Sequence, residues 1–272
     1  MVVFPKAKIN LGLTISGKRP DGYHDIETIF YPVPFCDAME MVVRGEGAKH
    51  DCFMLTGIDL PCKIEENLVL RAVKRLREAF TIPELKIHLH KAVPSGAGLG
   101  GGSSDAACML CTLNKYFGFS LSQDELKTFA LGLGSDCPFF IMNKPAYATG
   151  RGEILEPVDN ILECFKILLL NPGIQVNTRE AYEDCKPSGS DVSLTEIIKL
   201  PVSEWKELMI NDFEKTVFTK FPAIGRLKER LYESGALYSS MSGSGSTVYG
   251  IFKEEPIVPE DVKKFLIYNG EL

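Results

Sequence analysis

Residues Ala7 to Ile15 alternate: Ala7, Ile9, Leu11, Leu13 and Ile15 are apolar, and Lys8, Asn10, Gly12 and Thr14 fall between them. A period of two over this length predicts a half-buried strand. The run Gly17-Lys18-Arg19-Pro20-Asp21-Gly22 predicts a turn after it, and the apolar stretch from Ile26 to Pro32 a second extended segment. From Glu66 to Phe80 the spacing becomes helical, with Leu68, Ala72, Val73, Leu76 and Phe80 near one face. Leu85 to His90 alternates again, with Leu85, Ile87 and Leu89 set against Lys86, His88 and His90. A helix is predicted from Ser103 and Ser104 to about Phe117, where Gly118 stops it. Another runs from Gln123 to about Leu133, capped by Ser120 or Ser122.

Past a candidate boundary near Val158 to Ile161, the wholly apolar run from Ile167 to Leu170 predicts a buried strand ending in the turn Asn171-Pro172-Gly173. Two or three helical stretches follow, among them Ala223 to Glu233. A glycine-serine loop at Ser242 to Ser246 precedes a strand from Thr247 to Phe252, and a last helix is expected near Glu260 to Leu266. Strands and helices alternate irregularly, which gives an α+β or α/β class. The 272 residues suffice for two domains, expected at 1–158 and 159–272.

Charge narrows the partners. The formal net charge of -6 argues against a general nucleic-acid binder, which needs a basic face for phosphates. A local anion site remains compatible with it. No apolar leader segment and no stretch of membrane-spanning length is present, so a cytoplasmic location and no membrane partner are expected. Cysteines at 36, 52, 62, 108, 111, 137, 164 and 185 are irregularly spaced, which fits free thiols in a reducing compartment. Cys108 and Cys111 form a C-x-x-C inside a helical pattern, and no second pair accompanies them, so they read as small buried hydrophobes. His88 and His90 have no third ligand in sight, and no protein metal site is expected.

The most informative segment is Pro94-Ser95-Gly96-Ala97-Gly98-Leu99-Gly100-Gly101-Gly102-Ser103-Ser104, between a predicted strand and a predicted helix. Glycines let a backbone approach a ligand closely and adopt positive φ. The following helix N-terminus adds unpaired N–H groups and a partial positive charge, and the two together suit phosphates. No Lys-Ser or Lys-Thr follows the last glycine, so this is not a Walker A loop. Gly96, Gly98 and Gly101 fit G-x-G-x-x-G, yet about twenty residues on, Asp124 and Glu125 begin a helix instead of ending a strand, which speaks against a dinucleotide fold.

This segment resembles the phosphate-binding motif of the GHMP kinases. Other segments support the resemblance in chain order: Lys8-Ile9-Asn10-Leu11, Arg19-Pro20-Asp21-Gly22-Tyr23-His24, Glu66-Asn67-Leu68-Val69, Leu133-Gly134-Ser135-Asp136-Cys137-Pro138, Asn211-Asp212-Phe213-Glu214 and Met241-Ser242-Gly243-Ser244-Gly245-Ser246. The triple glycine followed by Ser-Ser-Asp-Ala-Ala is similar to the branch whose substrate is a methylerythritol carrying a cytidine diphosphate. A homoserine or mevalonate kinase is the alternative within the family.

The resemblance implies a two-domain α+β fold, with a ribosomal-protein-like N-terminal domain and a ferredoxin-like C-terminal one. It implies ATP-dependent phosphorylation of an alcohol, with Mg²⁺ carried mainly on the ATP phosphates and Ser104 as a candidate ligand. Asp136 becomes the candidate base and Lys8 its partner beside the reacting hydroxyl, although Asp136 by its setting could simply cap a helix. The loop 94–104, with Asn67 and Lys91 on the adenine side, becomes the ATP site. Asn10, Tyr23, His24 and Tyr182 become substrate-binding residues, the aromatic ones for the cytosine. A monomer or homodimer is expected, acting on a small cytidyl substrate and ATP.

Overall fold

The computed structural model describes residues 1–59, 63–185 and 192–272. Strand β1 (Val2–Val3) is followed by two 13-residue strands, β2 (Lys6–Lys18) and β3 (His24–Cys36). Strands β4 (Ala38–Val43) and β5 (Cys52–Gly57) precede helix α1 (Leu68–Arg77) and strand β6 (Leu85–Lys91). Helices α2 (Gly101–Phe117), α3 (Gln123–Leu131) and α4 (Cys137–Met142) come next. Then follow β7 (Ala146–Thr149), β8 (Ile154–Pro157) and β9 (Lys166–Leu170). The remaining helices are α5 (Thr178–Asp184), α6 (Leu194–Ile197), α7 (Phe213–Lys220) and α8 (Pro222–Glu233). The chain closes with β10 (Tyr238–Met241), β11 (Val248–Phe252) and β12 (Leu266–Glu271).

Two compact units emerge, each built from several separate stretches of the chain. One comprises residues 1–7, 35–95 and 100–143; the other comprises 8–34, 96–99 and 144–272. In the first unit the sheet order is β1-β4-β6-β5, antiparallel except for the β5–β6 pair. A parallel pair needs a crossover, and α1 supplies it. The apolar stripe of α1 (Val69, Ala72, Val73, Leu76) meets Ala106, Met109, Leu110 and Leu113 of α2 and the inward residues Met39, Met41, Leu85, Ile87 and Leu89 of the sheet. Helix α3 starts with a capping box between Ser122 and Glu125, so Ser122 is the cap.

The second unit holds the antiparallel sheet β10-β11-β9-β12, covered by α7 and α8 through Phe213, Val217, Ile224, Leu227 and Leu231. It also holds most of the sheet β2-β3-β7-β8. Ile167 to Leu170 are fully buried, as their unbroken apolar run predicts.

Two sequence expectations change here. The strand expected to be half-buried, β2, is buried on both faces, with Lys8 4%, Asn10 2% and Thr14 7% exposed. Alternation shows only that the two faces differ; polar partners for Asn10 come from Thr28 and Ser242, remote in sequence. The helix expected near 260–266 is a single 3-10 turn, Lys263–Phe265, and the chain then extends as β12 along the edge of β9. Pairing covers that open edge, and this outweighs local helical preference. Among the described residues, no helix is long and apolar enough to cross a membrane. Cys36, Cys52, Cys108, Cys111, Cys137 and Cys164 are free thiols, and Cys62 lies outside the described residues.

Candidate functional site

The glycine loop takes the backbone form its composition calls for. Gly96, Gly98 and Gly100 have φ of +65°, +79° and +68°, a region that side chains rarely tolerate. A Cβ on Gly98 would lie 1.9 Å from the Ser242 carbonyl oxygen, so only glycine fits that approach. Within the second unit three successive carbonyls of the loop are engaged. Thr247 N donates to Ala97 O at 3.2 Å, Ser242 Oγ to Gly98 O at 2.8 Å, and Lys8 N to Leu99 O at 2.9 Å. These bonds fix the loop without using its N–H groups. Pro94 is half-buried, and Ser95 and Gly96 are exposed.

In the first unit the loop leads into α2. Gly100 occupies the N-cap position, and no side chain caps the helix there. The first-turn N–H groups are therefore of the kind that anions satisfy. Gly102 is exposed, Ser103 half-buried and Ser104 buried. Asp136 sits at the N-cap position of α4 but makes no capping bond, so the plain capping role is not filled by its side chain. Its segment adjoins the start of α2: a Cβ on Gly134 would be 4.0 Å from Ser103 Oγ and 3.5 Å from Cys137 Sγ. Burial pushes the Cys137 thiol up to about 11, with a Ser103 hydrogen bond opposing.

The other candidate of the catalytic pair, Lys8, lies in the second unit. Its Nζ donates to Asn10 Oδ1 at 2.6 Å and rests 4.8 Å from the centre of the Phe30 ring. Asn10 Nδ2 donates to Thr28 Oγ1 at 3.0 Å, and Asn10 N to Ser242 Oγ at 3.2 Å. Ser242 therefore links the Lys8–Asn10 pair to the glycine loop. Asn211 braces that serine's own loop, donating through Nδ2 to the carbonyls of Met241 and Gly243 at 2.8 Å each.

Asn67 caps α1, its Oδ1 accepting from Val69 N at 2.9 Å. Lys91, expected on the adenine side of the ATP site, is buried in an ion-pair cluster. Its side chain is 1% exposed, and its ammonium donates to Asp37 and, at 2.7 Å, to Asp105. Asp37 Oδ1 in turn accepts from Ala92 N at 2.6 Å and Val93 N at 2.8 Å, the residues that lead into the glycine loop. The three side chains thus tie the loop's approach to the first turn of α2. Burial raises the Asp105 carboxyl to about 7, with the Lys91 ammonium pulling it down and Asp37 pushing it up. Asp105 Oδ1 is buried without a hydrogen-bond partner.

The proposed base-binding aromatics all lie in the second unit. Tyr23 is 57% exposed. His24 stacks on Tyr182 at 4.9 Å with 17° between the rings, and Tyr182 meets Phe213 edge-on at 4.8 Å. His24 and Tyr182 line a cleft together with Ile15, Lys18, Glu183 and Cys185. His88 Nε2 and His90 Nδ1 lie within hydrogen-bond reach of Thr56 Oγ1, at 2.8 and 3.0 Å. Among the described residues, no group of three or more His, Cys, Asp or Glu is placed to hold a metal ion.

Neither Asp37 nor Asp105 is among the site residues to which the sequence points. One signal was present: Lys91 continues the period of Leu85, Ile87 and Leu89, so it had to point inward and find carboxylates.

Comparison with known proteins gives the family. The family model described as GHMP kinases N terminal domain matches residues 67–144, and that described as GHMP kinases C terminal matches 194–266. A 4-diphosphocytidyl-2-C-methyl-D-erythritol kinase of Parabacteroides distasonis is 53% identical over 254 residues, covering 93% of this chain and 92% of the relative. One of the same name from Bacteroides thetaiotaomicron is 50% identical, covering 96% and 95%. A crystal structure of 4-(cytidine 5'-diphospho)-2C-methyl-D-erythritol kinase superimposes with a TM-score of 0.79 at 31% identity, over 94% of this chain and 91% of that one. A homoserine kinase from Cytophaga hutchinsonii shares the fold, with a TM-score of 0.64 at 18% identity over 92% and 86% of the two chains. Matched by both family models and about half identical to relatives over nearly their whole length, the chain belongs to the GHMP kinases.

Proposed function

We propose that this chain is a 4-diphosphocytidyl-2-C-methyl-D-erythritol kinase, transferring the γ-phosphoryl group of ATP to the substrate's 2-hydroxyl in the non-mevalonate route to isoprenoid precursors. The reaction belongs in the cytoplasm. The observation that carries this reading beyond the family is the aromatic group Tyr23, His24 and Tyr182. Homoserine and mevalonate carry no base to stack, whereas a cytidyl acceptor does. Identity of 53% to a relative bearing that name supports the same reading.

Phosphoryl transfer passes through a loose transition state, so positioning and charge stabilisation dominate. The glycine-loop N–H groups and the start of α2 hold the ATP phosphates. The ring of positive-φ glycines and the uncapped helix start fit such a ligand. Mg²⁺ on those phosphates would neutralise charge, with the Ser104 hydroxyl as a candidate ligand. Asp136 accepts the proton of the 2-hydroxyl, and the Lys8 ammonium offsets the negative charge that develops. Asn10 holds Lys8 and hydrogen-bonds the substrate. Tyr23 and Tyr182 offer ring faces to the cytosine, and His24 its imidazole edge.

ADP release measured with 4-diphosphocytidyl-2-C-methyl-D-erythritol, homoserine and mevalonate tests the reading. Turnover with the cytidyl alcohol alone is expected, and turnover confined to either control defeats it. Tyr23→Ala should raise KM for the cytidyl substrate about five- to a hundredfold, the range for one base–aromatic stack, and leave KM for ATP nearly alone. Equal rises for both substrates would count against base stacking. Gly98→Ala drives a Cβ into the Ser242 carbonyl and should weaken nucleotide binding at least tenfold by titration calorimetry, at about 1.4 kcal/mol per decade. An unchanged Kd for ATP would show that the loop is not the phosphate cradle.

A further inference from the structure

Tyr23 closes an exposed turn. Its N donates to Asp21 Oδ1 at 3.1 Å, and its carbonyl accepts from Arg19 N at 2.8 Å. The backbone is thereby set, but a tyrosine 57% exposed on such a turn still has ring freedom to lose when a base stacks on it. One face of that ring is met by Arg151, whose Cζ lies 4.9 Å from the ring centre.

Arg151 comes from the turn between β7 and β8, and that turn is fastened. Gly150 O accepts from Ile26 N of β3 at 2.8 Å. Gly150 and Gly152, on either side of Arg151, have φ of +68° and +102°. Glu153 Oε2 accepts from Arg151 N at 2.6 Å, and Glu153 Oε1 lies 3.5 Å from Arg151 Nε. The turn's backbone is thus set, and the guanidinium lies between the Glu153 carboxylate and the Tyr23 ring.

We infer that Arg151 is a specificity-determining positioning residue: its guanidinium backs one face of Tyr23 and so presents the other face, already oriented, to the pyrimidine of the substrate. This rests on the reading of Tyr23 as a base platform. A planar cation on an aromatic face attracts the ring quadrupole and stacks flat, which arginine does better than lysine. The ring then has one outward face instead of two equivalent ones, and the base completes a three-layer stack of guanidinium, phenol and cytosine. Sequence reading gave no role to Gly150-Arg151-Gly152-Glu153, because nothing local links it to residue 23.

The test is steady-state kinetics on the whole enzyme, varying the cytidyl substrate and ATP separately, for Arg151→Ala, Arg151→Lys, Tyr23→Ala and the double variant Tyr23→Ala/Arg151→Ala. Arg151→Ala is expected to raise KM for the cytidyl substrate about three- to tenfold while KM for ATP changes less than about twofold, the size of a partly exposed cation–π contact. Arg151→Lys should recover part of the loss. In the Tyr23→Ala background, removal of Arg151 should add less than about twofold, because its partner is gone. If Tyr23→Ala raises KM and Arg151→Ala leaves it unchanged or lowers it, the platform stands and the role of Arg151 is refuted. If Tyr23→Ala itself has no effect, the platform fails and Arg151 falls with it. Equal rises for both substrates, or full additivity in the double variant, would show general loosening and overturn the inference.

Discussion

Replacing Asp136 with Asn should lower kcat by about two to four orders of magnitude, the usual contribution of a positioned general base. Lys8→Met should lower kcat on a similar scale. The Met side chain keeps an apolar stem beside Phe30 while deleting the ammonium that the transition state needs. Loss in kcat with KM values largely preserved is the mark of an interaction made in the transition state. Melting should move little for Asp136→Asn, since the replacement is nearly isosteric and keeps a residue type suited to the start of α4. Coupled ADP-release assays and thermal melts on the same preparations check both points. A kcat within tenfold of the native value for either variant would remove that residue from the chemistry.

The second large effect is on stability. Lys91→Ala leaves Asp37 and Asp105, each no more than 2% exposed, without their shared cation. Breaking a buried pair from one side typically costs about 3–5 kcal/mol. For a chain of this size that corresponds to a fall in Tm of about 10 °C. The loss should also depend on pH. Asp105 titrates near 7 in the folded protein, above the ordinary carboxylate range, because burial outweighs the pull of Lys91. A raised carboxyl pKa gives a contribution to stability that is present below the unfolded value, about 4, and lost as pH rises through the folded value. Removing Lys91 takes away the group that favours the ionised form and moves the folded value higher. The difference between variant and native protein should therefore be smallest in acid and grow as pH rises through about 7. Denaturant titrations at pH 5, 6, 7 and 8 test this; a loss that is constant across them would exclude the buried carboxylates as its source.

The legibility of this chain was uneven for physical reasons. Helices α1, α2 and α8 were readable because their apolar stripes face a single core. The glycine loop was readable because positive φ and close approach leave few choices of residue. What local pattern could not show is what meets what across long intervals of sequence. Asn10 and Ser242 are 232 residues apart, and Lys91 and Asp37 are 54. Lys8 shares the polar face of its strand with Asn10, only the resemblance singles it out, and its burial comes from elements contributed by distant parts of the chain. Lys91 could have been placed better from its own strand. Its register with Leu85, Ile87 and Leu89 already pointed it into the core, and a cation there implies carboxylates. The helix expected near 260–266 shrinks to one turn because the following strand β12 owes its form to the free edge of β9, which local pattern does not announce.

The distribution of thiols has a practical consequence. Cys137 is closed to solvent and poorly ionised, so alkylating reagents should pass it by, whereas Cys52 and Cys164 stand open to them. One of these belongs to each compact unit. Brief thiol labelling of the folded chain should therefore mark Cys52 and Cys164 well before Cys137, and peptide mapping would read this out.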